Sequence, residues 1–234
     1  MTDQLQRSAI APAVTVHEAK GQTSAVVLVL PGGRADSFDP TDTRQLAAVR
    51  MRPFARALHR RGRRHGVAVW MVRYRYRGWN GADMSPVPDA RWALDEVRRR
   101  HGDVPVALVG HSMGGRTALR VAGDASVRGV VALAPWLFDT EPTDQLAGRD
   151  VLIAHGDLDK VTSPRASRRY ADRAAAVTRV RYVTVRRDLH GMLLRWRTWH
   201  RLATSFALEV LGVQDLPRDL ALGGSGKNPD VRSM

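Results

Sequence analysis

Val104-Pro105-Val106-Ala107-Leu108-Val109-Gly110-His111-Ser112-Met113-Gly114 is the stretch whose reading decides the fold. An apolar run of strand character enters a tight, glycine-flanked turn. Gly115-Arg116-Thr117-Ala118-Leu119-Arg120-Val121-Ala122 leaves that turn with helical character. Ser112 therefore stands in a G-x-S-x-G motif between a strand and a helix, the setting that lifts a serine hydroxyl clear of a sheet. The flanking glycines let helix and strand pass closely without a Cβ clash. A free serine hydroxyl is a poor nucleophile, so the pattern calls for a base and an acid elsewhere in the chain.

Both follow in chain order. Val127-Arg128-Gly129-Val130-Val131-Ala132-Leu133-Ala134 reads as the next strand, and Val151-Leu152-Ile153-Ala154 as another, ending in His155-Gly156-Asp157-Leu158-Asp159. A last strand, Val180-Arg181-Tyr182-Val183-Thr184-Val185, leads to Asp188-Leu189-His190-Gly191. Carboxylates past one strand end and a histidine past the next converge where open parallel sheets collect their chemistry. From position alone, either Asp157 or Asp159 can be the acid. His111 and His155 flank motif glycines and read as hydrogen-bonded loop supports, because their surroundings lack metal-ligand spacing.

These motifs, with Leu30-Pro31-Gly32-Gly33 after the first strong strand, make residues 14–212 resemble the α/β-hydrolase superfamily in its small esterase-like branch. The resemblance implies an α/β fold with a mostly parallel central sheet and helices on both faces. It implies Ser112 as nucleophile, His190 as base and Asp159, rather than Asp157, as acid. It implies an oxyanion hole from the amides of Met113 and of Gly33, or Gly32. No cofactor and no metal are needed. A cysteine-dependent dienelactone hydrolase is excluded by the lack of cysteine, and a haloalkane dehalogenase by Ser112 in place of aspartate. Lyases and cofactor-free peroxidases of the same fold stay open.

The interval from Trp136 to Asp150 is too short for a helical cap. No cap domain is expected, and loops 34–50, 74–88 and 136–149 must cover a rather open site. The expected activity is hydrolysis of a carboxylic ester or thioester, with a small-molecule acyl substrate. The alternatives are a thioesterase acting on acyl chains held by an acidic carrier protein, and a non-catalytic, arginine-rich binding protein on the same fold.

The formal charge is +14, and lysine occurs only at positions 20, 160 and 227, so nearly all of the 37 basic residues are arginine. Such a charge attracts polyanions. Yet the arginines are dispersed, and the clusters at 60–64 and 98–100 fall at expected helix ends, where cations offset the macrodipole. Nucleic acid is therefore not the expected partner. Arg73-Tyr74-Arg75-Tyr76-Arg77 reads as a strand end with one arginine tied to a carboxylate.

No run approaches the roughly 18 apolar residues of a membrane span, so no membrane partner is expected. The N-terminus lacks a signal-peptide layout, and the expected location is cytoplasmic. The expected organisation is a segment over 1–13, the hydrolase-like domain over 14–212 and a flexible, linker-like tail over 213–234. The outer elements read as a strand over 13–17, helices over 52–59, 89–100 and 164–176, and a closing helix. The last carries Leu193, Trp196, Trp199, Leu202 and Phe206 at helical spacing, read as one core-facing stripe.

Overall fold

The computed structural model describes residues 10–213. The tail expected over 213–234 lies, but for Val213, outside the described residues, as do residues 1–9 of the N-terminal segment. Seven strands form one sheet in the order β1-β3-β2-β4-β5-β6-β7. They are β1 (Ala13–His17), β2 (Ala25–Leu30), β3 (Val67–Arg73), β4 (Val106–His111), β5 (Val127–Leu133), β6 (Asp150–Gly156) and β7 (Val180–Val185). Only β1 is antiparallel, pairing with β3 from Ala13↔Arg73 to His17↔Val69. The inner pairs are parallel, as near-continuous Val, Leu and Ala runs require when helices cover both faces.

Five helices supply that cover: α1 (Leu46–Gly62), α2 (Pro86–His101), α3 (Met113–Val121), α4 (Pro164–Ala174) and α5 (Trp196–Val210). The strand alternation divides the core. Val26, Leu28 and Leu30 pack on one face with Ala93 and Val97 of α2 and Leu119 of α3. Val27 and Val29 pack on the other with Phe54 and Leu58 of α1 and Leu202 and Phe206 of α5. The arginine clusters lie in the last turns of α1 and α2 and in the short turn after α1. Arg99 and Arg100 also pair with Glu96 on α2. Ser163 caps α4, accepting from the Ala166 amide at 3.1 Å.

The helices expected over 89–100 and 164–176 run Pro86–His101 and Pro164–Ala174, and two other elements differ further from the sequence reading. Helix α1 begins six residues earlier than the expected 52 and holds Pro53 in its interior. Proline there gives up one hydrogen bond to the preceding turn. Burial of Met51, Phe54 and Leu58 holds the helix together across that gap. The closing stripe is also shorter than read. Trp199, Leu202 and Phe206 are buried, but Leu193 lies in the turn before α5 and is 64% exposed, and Trp196 is 51% exposed.

Between β5 and β6 there is no cap, only a loop with one 3-10 turn at Asp144–Leu146. A buried cation pins that loop against α3. The Arg116 guanidinium lies 3.8 Å from the Trp79 ring centroid, 4.9 Å from Trp136 and 5.0 Å from Phe138. Its Nε donates to Glu141 Oε1 at 2.6 Å, and Arg120 Nε donates to the other carboxylate oxygen at 2.6 Å. Burial lowers the Arg116 pKa, with Glu141 opposing that shift.

The turn between β4 and α3 depends on close backbone contact. A Cβ on Gly110 would run into the Gly114 carbonyl, and one on Gly114 into the carbonyls of Leu30 and Pro31. Backbone cannot swing away as a side chain can. Gly114→Ala is expected to destabilise the fold by about 2 kcal/mol or more, by overpacking. Urea unfolding of the variant measures this, and a loss below about 0.5 kcal/mol would show that the contact yields.

Candidate active site

The strand order reverses about β2, whose neighbours are β3 and β4. The loops after β2, β4, β6 and β7 all leave from the same edge, and each carries one of the residues singled out from the sequence. Ser112, directly after β4, has φ 54° and ψ −118°. A non-glycine residue held there carries a strain of about 1–3 kcal/mol. The fold holds it by donation from the Ser112 amide to the Leu133 carbonyl at 3.0 Å. The Ser112 carbonyl in turn accepts from the amides of Arg116 at 3.1 Å and Trp136 at 3.2 Å. The pinned loop after β5 is thus stitched to the elbow itself.

Asp159 and His190 are brought together. His190 Nδ1 lies 2.8 Å from Asp159 Oδ2. Asp159 is buried, and its other oxygen accepts the amides of Val161 at 2.8 Å and Thr162 at 3.0 Å. Thr162 Oγ1 stands 2.9 Å from Oδ2 and 3.2 Å from the Ala134 carbonyl, so its single proton serves one of them at a time. Burial pushes the Asp159 pKa up, but hydrogen bonds from His155, His190 and the two amides outweigh it and hold the carboxyl well below the usual range. Asp157 has a different place. It is exposed, and it accepts the Arg187 amide at 2.6 Å.

His155 completes the surroundings of Asp159. Its Nδ1 lies 2.8 Å from Ser167 Oγ and its Nε2 3.1 Å from Asp159 Oδ2. An ionised carboxylate only accepts, so the proton belongs on Nε2, and Nδ1 accepts from the serine hydroxyl. His111 Nε2 lies 3.0 Å from the His190 carbonyl and can donate only there, while its Nδ1 is buried without a partner. Both histidines are therefore hydrogen-bonded supports, as the sequence suggested, but they sit at the ends of β4 and β6 and not in loops. The His111 and His190 rings stand 4.7 Å apart between centroids, which brings the His190 loop against the residue preceding Ser112. Among the described residues no hydrogen bond joins Ser112 Oγ to His190; such bonds often tighten only when substrate binds.

The Gly32–Gly33 turn packs on the elbow. A Cβ on Gly32 would lie 3.4 Å from the Ser112 Cβ, and one on Gly33 would collide with the Met113 side chain. Met113 is the first residue of α3, where an amide has no intrahelical acceptor.

The profile of the alpha/beta hydrolase family matches residues 26–232 of the chain. This chain belongs to the alpha/beta hydrolase family. No curated protein sequence matches it. Among solved structures, it is similar to an alpha-beta serine hydrolase homologue from Coxiella burnetii, at 19% identity and TM-score 0.63, covering 82% of this chain and 90% of that one. Est1E from Butyrivibrio proteoclasticus, solved with ferulic acid bound, is 15% identical with TM-score 0.65, covering 86% of this chain and 96% of that one. A serine hydrolase without a lid from Xanthomonas campestris is 18% identical with TM-score 0.61, covering 88% of this chain and 91% of that one.

In this alpha/beta hydrolase the sequence did not point to Thr162, Ser167, Asp188 or Arg50. Asp188 is fully buried. Its carboxylate accepts from the amides of Leu189 at 2.7 Å and Arg195 at 2.8 Å, and from Trp199 Nε1 at 2.7 Å. It thereby folds the His190 loop around one charge. Arg50 of α1 donates to the Gly191 carbonyl from the other side. Thr162 had a faint signal, since an aspartate accepting amides two and three residues on is ordinary turn chemistry. The others had none.

The buried His111 gives the site a pH signature. Burial, then the neighbouring His190, lowers its pKa to about 3, from an ordinary 6.5. The unfolded chain therefore binds a proton that the folded one refuses. The stability His111 contributes is complete above pH 6.5 and is lost progressively as pH falls towards 3. By pH 5 the loss should be about 2 kcal/mol. His111→Gln, which can still donate to the His190 carbonyl, is expected to flatten the decline of urea-unfolding stability between pH 7 and pH 5. Parallel declines in both proteins would refute this assignment.

Proposed function

We propose that this chain is a serine hydrolase that cleaves a carboxylic ester through an acyl-enzyme on Ser112. The observation that carries the reading is the 2.8 Å contact between His190 Nδ1 and the buried Asp159 carboxylate, on the sheet edge that presents the strained Ser112 turn. With Nδ1–H donated to Asp159, the other ring nitrogen of His190 carries a lone pair and is free to act as base.

In this reading Ser112 Oγ attacks the ester carbonyl carbon and its proton passes to His190 Nε2. The carbonyl oxygen becomes an oxyanion and accepts from the amides of Met113 and Gly33. Collapse breaks the bond to the alcohol, which leaves with the proton from His190. Water repeats the sequence on the acyl-enzyme, with His190 again as base. Asp159 fixes the imidazole tautomer and stabilises the imidazolium, a task suited to a carboxyl held ionised by its donors. The likeness to Est1E, solved with ferulic acid, supports an ester as the substrate class.

Ser112→Ala is expected to keep the fold and to lose about 10⁴- to 10⁶-fold in turnover, as triad nucleophiles do. Labelling with a fluorophosphonate should mark the wild type on Ser112 and leave the variant unmarked. A variant retaining a tenth of the ester hydrolysis would mean that Ser112 is not the nucleophile. Nitrophenyl esters of increasing acyl length, run beside acyl-thioesters, fix the bond and the chain length preferred.

The two aspartates should separate as their environments do. Asp159→Asn should lose about 10³-fold or more in kcat, because the amide cannot hold the His190 tautomer. Asp157→Asn, exposed and bound only to a backbone amide, should stay within about threefold. The reverse order in steady-state kinetics would assign the acid to Asp157.

A further inference from the structure

The two loops that carry Asp159 and His190 also carry a surface with no use in that chemistry. On the first, Leu158 is 48% exposed and Val161 71% exposed. On the second, Leu189 is 47% exposed, Leu193 and Leu194 64% each, and Trp196 51%. The loops are neighbours, since the Leu158 amide donates to the Asp188 carbonyl at 3.1 Å and the Arg187 amide to Asp157 at 2.6 Å. The contact of Arg50 with Gly191 continues the surface onto the start of α1, where Val49 and Leu46 are exposed as well. Large apolar side chains exposed together on adjoining loops mark an interaction surface.

The charges between these side chains are of one sign. Lys160, Arg165, Arg186, Arg187, Arg195 and Arg197 are exposed, and the single exposed carboxylate on the same stretches is Asp157. Some arginines elsewhere are matched, as Arg99 is with Glu96, Arg169 with Asp139, Arg179 with Asp150 and Arg181 with Glu209. Those at the end of α1 are solvated without a carboxylate partner among the described residues, so it is the company of exposed apolar side chains that sets this rim apart. On this rim, among the described residues, none of the six cations meets a carboxylate within ion-pair distance. The rim thus has unmatched positive charge and protruding Leu, Val and Trp on the same loops.

We propose that this rim docks the protein on an anionic phospholipid surface. The leucines, valine and tryptophan enter the headgroup boundary, and the arginines pair with lipid phosphates. Arginine beside tryptophan and leucine is the composition that lies in a membrane interface, and each cation there adds attraction to anionic lipid. A protein helix would need a groove for its apolar face, whereas a lipid surface accepts side chains that stand out singly. The concavity bordering the rim is lined by Asp157, Lys160 and Arg165 as well as by Val161 and Pro164, and this mixed, charged lining makes no continuous apolar groove for a helix. No helix among the described residues is long and apolar enough to cross a membrane, so the attachment is peripheral. The sequence expectation of no membrane partner rested on the absence of a span and did not see this surface. The proposal rests on the rim alone and not on the hydrolytic reading.

The test is co-sedimentation of the full chain with vesicles of phosphatidylcholine alone and of phosphatidylcholine mixed equally with phosphatidylglycerol. At about 0.1 M salt, binding to the mixed vesicles is expected to exceed binding to neutral ones by about tenfold or more, and to weaken as salt shortens the screening length. The combined variant Leu193→Ser, Leu194→Ser, Trp196→Ser should lose about tenfold on mixed vesicles. The combined variant Arg186→Gln, Arg187→Gln, Arg195→Gln, Arg197→Gln should fall to the neutral-vesicle level. Circular dichroism and urea unfolding check that both variants are folded. Ser112→Ala should bind as the wild type does, so that failure of the hydrolase reading and failure of docking are read separately. The proposal is overturned if the wild type does not bind mixed vesicles, or if the serine variant binds them undiminished. It is also overturned if the rim instead mediates self-association or capture of an acidic acyl carrier protein without vesicle binding.

Discussion

The close passage of α3 over the ends of β2 and β4 is the constraint on which the rest of the site depends. With Gly110 and Gly114 in place, backbone meets backbone, and the turn between them closes tightly enough to drive Ser112 to φ 54°. That strained conformation is tolerated because both polar groups of the Ser112 backbone are satisfied by neighbouring segments. The same closeness brings the Gly32–Gly33 turn beside the serine, next to the first amides of α3, which have no intrahelical acceptor. Nucleophile and oxyanion donors in the proposed mechanism are therefore two consequences of one packing requirement.

Electrostatics completes what packing begins. Two buried carboxylates organise the loops that face Ser112. Asp159 gathers His190, His155, Thr162 and the Val161 amide, and Asp188 gathers the amides and the indole of the His190 loop. A buried charge without partners is costly, so each carboxylate commits its neighbours to a narrow set of positions. Where a cap would sit in larger relatives of this fold, a third buried charge takes over. Arg116, stacked on aromatic rings and paired with Glu141, fixes the loop whose Trp136 amide bonds to Ser112.

Much of this was legible in the sequence. The G-x-S-x-G turn, the order of serine, aspartate and histidine, and the all-apolar strands gave the sheet and its working edge. Each of those signals is local: a few residues of fixed spacing whose backbone geometry admits few solutions. A tie between one arginine of residues 73–77 and a carboxylate was also expected, and it is found between Arg75 and Asp89 at 2.6 Å. Position alone left Asp157 and Asp159 open, and only the resemblance to a known superfamily favoured Asp159. In the fold the two part by burial and partner, since one meets His190 and the other a backbone amide.

By itself the sequence determined the fold class, the order of the strands and the tight turn that carries Ser112, because hydrophobic period and glycine spacing are properties of neighbouring residues. The tertiary structure decided which residues support them. Ser167 reaches His155 only when α4 folds back on β6, and Trp199 reaches Asp188 only when α5 packs on the sheet, whereas Thr162 sits in the same turn as Asp159 and so left a faint signal. It also decided that Leu193 and Trp196 face solvent and not the core. Helical period predicts a face only for residues already in the helix, and α5 begins at Trp196, one turn later than the pattern suggested.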